Sequence, residues 1–147
     1  MNNTINFEQY FTEHERLTYT NVGVSMLPLL RQGKDLFVLE KKKSGRCNVG
    51  DVVLYRRKNQ YVLHRIVEVR ANDYVILGDN CIKREYGITD NNILGVMVSF
   101  VRGGKNYSVT AWSYRLYSFI LLHTITMRIL ITKMLRSIKR ELKLWME

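Results

Sequence analysis

Between Asp51 and Arg102 the chain repeats one pattern: a run of β-branched and aromatic residues, then a short polar or glycine-bearing break. The runs are DVVLYRR (51–57), YVLHRIVEVR (61–70), YVILGD (74–79) and ILGVMVSFVR (93–102), and only KNQ and AND separate the first three. Strands joined by so few residues pair antiparallel, because a parallel crossover needs a dozen residues or more. The pattern predicts a meander of hairpins in an all-β body and leaves no room for a βαβ rhythm. Upstream, Leu17 to Val24 favours an extended form and Leu36 to Leu39 a second apolar strand. The basic loop KKKSGRCNVG, broken by two glycines, follows them. Past the Gly103-Gly104 turn, YSVTAW (107–112) adds one more strand. Phe7 to Leu17 places Phe7, Tyr10, Phe11 and Leu17 on one side of a short amphipathic helix.

The pattern changes at Ser113. Leu116, Phe119, Ile120, His123, Met127, Leu130, Met134 and Ile138 recur at helical spacing. The longest stretch without a formal charge, Leu116 to Met127, is twelve residues, short of the roughly twenty that a bilayer crossing needs. Arg128 and Lys133 fall inside any longer span. An apolar face flanked by Lys and Arg suits the plane of a membrane interface, a partner groove or packing on the β body. The expected organisation is a helical lead-in over 1–16, a β domain over 17–112 and a basic amphipathic helix over 113–147.

Charge supports that division. The net charge is +10, and residues 103–147, about a third of the chain, carry eight basic and two acidic side chains. An excess concentrated in the tail points to an anionic surface, and a membrane fits better than nucleic acid because few aromatics interleave with the charges. Cys47 and Cys81 lie in no catalytic cysteine motif and are expected to be reduced thiols. The start, MNNTINFEQYFTEHERL, has neither a basic lead nor an apolar run. It reads as neither signal peptide nor anchor, so a cytoplasmic or peripheral membrane location is expected.

One short segment carries chemistry. GVSMLPLLRQGKD (23–35) sets Ser25 directly before a Met-Leu-Pro turn, with a second turn at Gly33. A serine hydroxyl becomes a nucleophile when the backbone holds it exposed and a neighbouring base takes its proton. His64 is the candidate base. Strand parity puts it on one face with Val62 and Ile66, and its ordinary pKa near neutrality suits proton transfer at cellular pH. The ring needs a group to hold its far nitrogen. Asp79, in the ILGDN turn, and Asp90, in GITDNN, are the candidates, while Asp51 reads as structural.

GVSMLPLLRQGKD, GDVVLYRR, YVLHRIVEV and ILGDN, in that order, resemble the ordered boxes of type I signal peptidases and their self-cleaving LexA-repressor relatives. The likeness runs from about Gly23 to Gly95. Histidine at position 64, where bacterial signal peptidases and LexA relatives use lysine, resembles the endoplasmic-reticulum and archaeal branch. The resemblance implies a mostly β fold, an irregular antiparallel β pseudo-barrel of the signal peptidase/LexA type, here with the C-terminal basic helix. It implies that Ser25 attacks a scissile carbonyl, that His64 is general base and that Asp79 or Asp90 supports it. The substrate would be an extended leader- or signal-type peptide with small side chains near the cut, and neither cofactor nor metal is called for. Gly23-Val24 precedes the serine where many signal peptidases have Ser-Gly, so the oxyanion would rest on backbone N–H groups, chiefly that of Ser25. The other expectations from sequence are a non-catalytic peptide-binding or membrane-adaptor module that keeps the fold, and a nucleic-acid-binding regulator.

Overall fold

The structure is a computed structural model and describes residues 6–146; residues 1–5 of the expected lead-in, and Glu147, lie outside the described residues. In chain order the elements are α1 (Phe7–Glu13), β1 (Arg16–Thr20), β2 (Leu36–Lys41), β3 (Val52–Arg57), β4 (Gln60–Val69), β5 (Tyr74–Leu77) and β6 (Glu85–Ile88). A 3-10 turn at Asp90–Asn92, β7 (Ile93–Arg102), β8 (Lys105–Ser108) and α2 (Trp112–Met146) complete them. Eight strands make one sheet in the order β1-β2-β7-β3-β4-β5-β6, with β8 paired to β7 and every pairing antiparallel. The body is therefore a mostly β, open sheet with one C-terminal helix.

β3 to β5 form the expected meander, and β7 returns to lie between β2 and β3. β3 reads as an unbroken apolar run because both its faces are covered. Val52 and Leu54 point into a cluster with Met26, Leu30, Leu39, Leu63 and Met97. Val53 and Tyr55 point into a second cluster with Ile66, Tyr74, Ile76 and Ile93. Irregularities in register at Val38/Leu39, Leu54/Tyr55, Ile66/Glu68 and Tyr74/Ile76 interrupt the ladders. Such bulges bend strands and re-aim side chains. One of them lies just beyond His64 and Arg65.

Local differences from the sequence reading have local causes. α1 ends at Glu13 rather than Leu17; Asn6 caps it by accepting from the Glu8 and Gln9 N–H groups, and Leu17 is claimed by β1, paired with Leu39. β1 stops at Thr20, where Asn21 turns the chain out of the sheet and leaves Val22 and Val24 exposed. The strand expected at 107–112 begins at Lys105, because the Gly103-Gly104 turn pairs Arg102 with Lys105 at once. β6 has no strand signature in EYGI and exists because β5 offers it an edge.

α2 is continuous for 35 residues. Arg128 does not interrupt it, and an 18-residue window within Trp112–Lys143 has a mean hydropathy of 1.4, so the helix is long and apolar enough to cross a membrane by length and composition, which the twelve-residue charge-free stretch alone is not. Its N-terminal half is seated on the sheet through Ser118, Leu121 and Ile125, all buried. Phe119, Met127, Leu130, Ile131, Met134, Leu135, Ile138 and Leu142 are exposed.

Candidate functional site

The serine segment is clamped at both ends. Asn21 Nδ2 donates to the Gly23 and Leu30 carbonyls, its N–H donates to the Asp35 carbonyl, and the Gly33 N–H returns to the Asn21 carbonyl. Gly23 and Gly33 both sit at positive φ, +90° and +66°, a region open to glycine and strained for other residues. Asp35 is fully buried and receives Arg31 at 2.8 Å and Arg102 at 3.0 Å. Arg102 reaches on to the Pro28 and Leu29 carbonyls. Burial alone would raise the Asp35 pKa, but the Arg31 hydrogen bonds, with Arg102 behind them, hold it well below the usual carboxylate range. Asp35, read in the sequence only as the end of a motif, is the anchor of the loop that carries Ser25.

Ser25 and His64 line one cleft of about 670 Å³ with Arg57, Val62, Asn80, Cys81, Lys83, Glu85 and Arg136. Their nearness is sharpest at Gly78. A Cβ placed there would lie 2.8 Å from the Ser25 carbonyl oxygen, 2.8 Å from Cys81 Sγ and 2.9 Å from His64 Nε2. Only a glycine lets these three groups converge. The Ser25 hydroxyl makes no hydrogen bond to His64 or to any other described residue, and neither the Ser25 nor the Met26 N–H is committed to a described acceptor. Unpaired amides at a nucleophile are the kind of donor an oxyanion needs.

His64 is buried, with its Nδ1 3.2 Å from the Tyr55 hydroxyl and 3.6 Å from Glu85 Oε1. Burial lowers its pKa below the ordinary value while the Glu85 charge works in the opposite direction, so the ring is neutral at pH 7 and able to accept a proton. Glu85 is itself tied to Arg57 at 2.7 Å. Burial drives the Tyr55 hydroxyl pKa far up, and it stays protonated. Glu85 and Tyr55 are the partners that the sequence reading missed. In the sequence Tyr55 reads only as a strand residue, and Glu85 lies in a segment with no strand signal.

Neither aspartate named from sequence is hydrogen-bonded to His64. Asp79, fully buried, takes two hydrogen bonds of 2.8 Å from Arg65, one to each oxygen, and a third of 2.9 Å from Tyr117 of α2. Neither oxygen bonds His64. Asp79 instead positions its neighbour: the Asn80 N–H donates to the Ser25 carbonyl at 2.8 Å and its side-chain amide to the Val24 carbonyl at 3.1 Å. Asp90 accepts from Tyr74 at 2.6 Å and pairs with Lys42 and Arg46, tying down the basic loop of residues 41–50. It does not line the cleft. Cys47 and Cys81 are not bridged. Among the described residues, no group of three or more His, Cys, Asp or Glu side chains could hold a metal ion.

No family model matches this chain, and no curated protein or solved structure is significantly similar to it.

Proposed function

We propose that the protein is a serine endopeptidase of the type I signal peptidase-like kind, in which Ser25 is the nucleophile and His64 the general base. The observation that carries this reading is the convergence at Gly78, where His64 Nε2 turns toward the serine loop while its Nδ1 is held by Tyr55. His64 takes the Ser25 proton as Oγ bonds to the peptide carbonyl carbon, and the oxyanion finds the Ser25 and Met26 amides. His64 then gives that proton to the departing amine. Water, deprotonated by the same ring, releases the acyl group and frees Ser25. In this scheme Glu85 and Tyr55 orient the imidazole, and Asp79 acts through the loop that grips Ser25. The bulged antiparallel sheet suits the pseudo-barrel that the resemblance implies. β6, at the end of the sheet and beside the cleft through Glu85, offers an edge to an extended leader-type peptide.

The outer face of α2 supports attachment in the plane of an anionic membrane. Its exposed apolar residues alternate with Lys133, Lys139, Arg140 and Lys143. The unbonded Ser25 hydroxyl favours the alternative of a peptide-binding module without turnover. Leader peptides with small residues at the cut separate the two. The peptidase reading expects cleavage that disappears in Ser25→Ala and in His64→Ala; equal cleavage by parent and variants, or binding without cleavage, defeats it.

A further inference from the structure

We infer that α2 is part of the machinery that sets the nucleophile, with Tyr117 and Arg128 as positioning residues for Ser25. This rests on the serine-nucleophile reading above and extends it to a helix that the sequence treats as an appendage. The path is continuous, from buried Asp79 and Arg65 through half-buried Tyr117 and Arg128 to the exposed Asn80. Tyr117 donates to one oxygen of Asp79, and Arg128 donates to the Asp79 carbonyl. Tyr114 and Ser118 accept from Arg65 Nη1 at 3.1 and 3.0 Å, and Arg65 in turn donates to both oxygens of Asp79. Asp79 is thus held at its side chain and at its carbonyl by α2, and the next residue, Asn80, holds the Ser25 and Val24 carbonyls. Arg65 directly follows His64 in β4. One helix therefore braces both the strand that bears the base and the turn that bears the grip on the nucleophile. Arg136, two turns beyond Arg128, lines the cleft itself.

The two substitutions that test this remove little. Tyr117→Phe deletes one oxygen, and Arg128→Gln removes a side chain whose bond is to a carbonyl. The readout is the second-order rate constant for labelling by a fluorophosphonate probe, followed by intact mass. In that reaction Ser25 Oγ bonds to phosphorus, fluoride leaves and the serine proton passes to His64. A hydrogen bond to a buried charged group is worth about a tenfold to hundredfold change, so Tyr117→Phe is expected to label at least about tenfold more slowly than the parent, and Arg128→Gln, whose bond is to a neutral carbonyl, about threefold to tenfold more slowly. Arg128→Lys, which keeps a donor, restores most of the rate, and Met127→Ala, on the exposed face, leaves it unchanged. With a peptide substrate the loss falls on kcat and spares KM. Parental labelling rates in Tyr117→Phe and Arg128→Gln overturn the inference. Labelling of the parent that Ser25→Ala does not abolish defeats the nucleophile reading instead. In that event hydrogen exchange at the Asn80 amide still decides the bracing claim: faster exchange in Tyr117→Phe supports it, and unchanged exchange overturns it.

Discussion

Replacing Arg65 by methionine removes, among the described residues, the one cation bonded to the Asp79 carboxylate, which has no exposed surface. The Asp79 carboxylate loses two hydrogen bonds of 2.8 Å and, among the described residues, keeps only that from Tyr117. Breaking a buried pair from one side costs about 3–5 kcal/mol, because the remaining charge is stranded away from water. Asp79→Leu strands the guanidinium instead, at a similar cost. If the two losses were independent, the double variant would lose about 6–10 kcal/mol, most of a domain's stability. It should not. With both charges gone, the main debt is the Gly50 carbonyl, which loses Arg65 Nη1 at 2.8 Å, and hydroxyls that must find new partners. One or two such groups cost about 2–4 kcal/mol together. Equilibrium urea unfolding of the four proteins, followed by far-UV circular dichroism, reads the cycle. Additive losses would refute the reasoning and show that the pair contributes as two separate residues. A coupling of several kcal/mol, with a double variant that folds yet labels poorly at Ser25, is the expected result.

Other expectations follow from single sites. Gly78→Ala drives a Cβ to within 2.9 Å or less of three groups at the cleft; a displacement of even about 1 Å costs roughly a hundredfold in rate, so near-parental cleavage would exclude this arrangement. The rate should rise with pH through an apparent pKa below the ordinary histidine value, because burial lowers that of His64. Glu85 opposes that shift, so Glu85→Gln moves the limb to still lower pH; a limb that moves upward contradicts the assignment. The same depressed pKa makes the unfolded chain bind a proton first, so this site's contribution to stability is intact above about pH 6.5 and declines as pH falls through the folded value. Asp35, with its lowered pKa, contributes stability that is present above the unfolded carboxylate value of about 4 and lost below it, and Asp35→Asn should flatten that acid limb in thermal melts across pH. Leu135→Asp, on the exposed face of α2, should weaken sedimentation with anionic vesicles severalfold while leaving Ser25 labelling unchanged; equal sedimentation would remove the membrane role.

The site was legible to different depths. Ser25 and His64 stand out because each sits in a local context that chemistry would need, a stiff turn and a strand. Asp79 and Asp90 drew attention for the same local reason, yet a carboxylate's role depends on which cation or ring lands beside it. For Asp79 that is Arg65, fourteen residues earlier and across a strand pair; for Asp90 it is Tyr74 and the loop of residues 41–50. Glu85 gave no signal at all, since β6 is a strand only by pairing with β5.

By itself, the sequence determined what short-range forces control: the alternation that makes β3, β4, β5 and β7, the hairpin turns between them, the helical period after Ser113, and the glycines that allow the Ser25 loop its turns. Tertiary structure decided what long-range contacts control. It placed β7 between β2 and β3, aimed His64 at the serine loop, gave its other nitrogen to Tyr55 and Glu85, and seated α2 on the Arg65–Asp79 pair. Propensity and periodicity act over a few residues and can be read along the chain. The partner of a buried charge is chosen only when distant segments exclude water together.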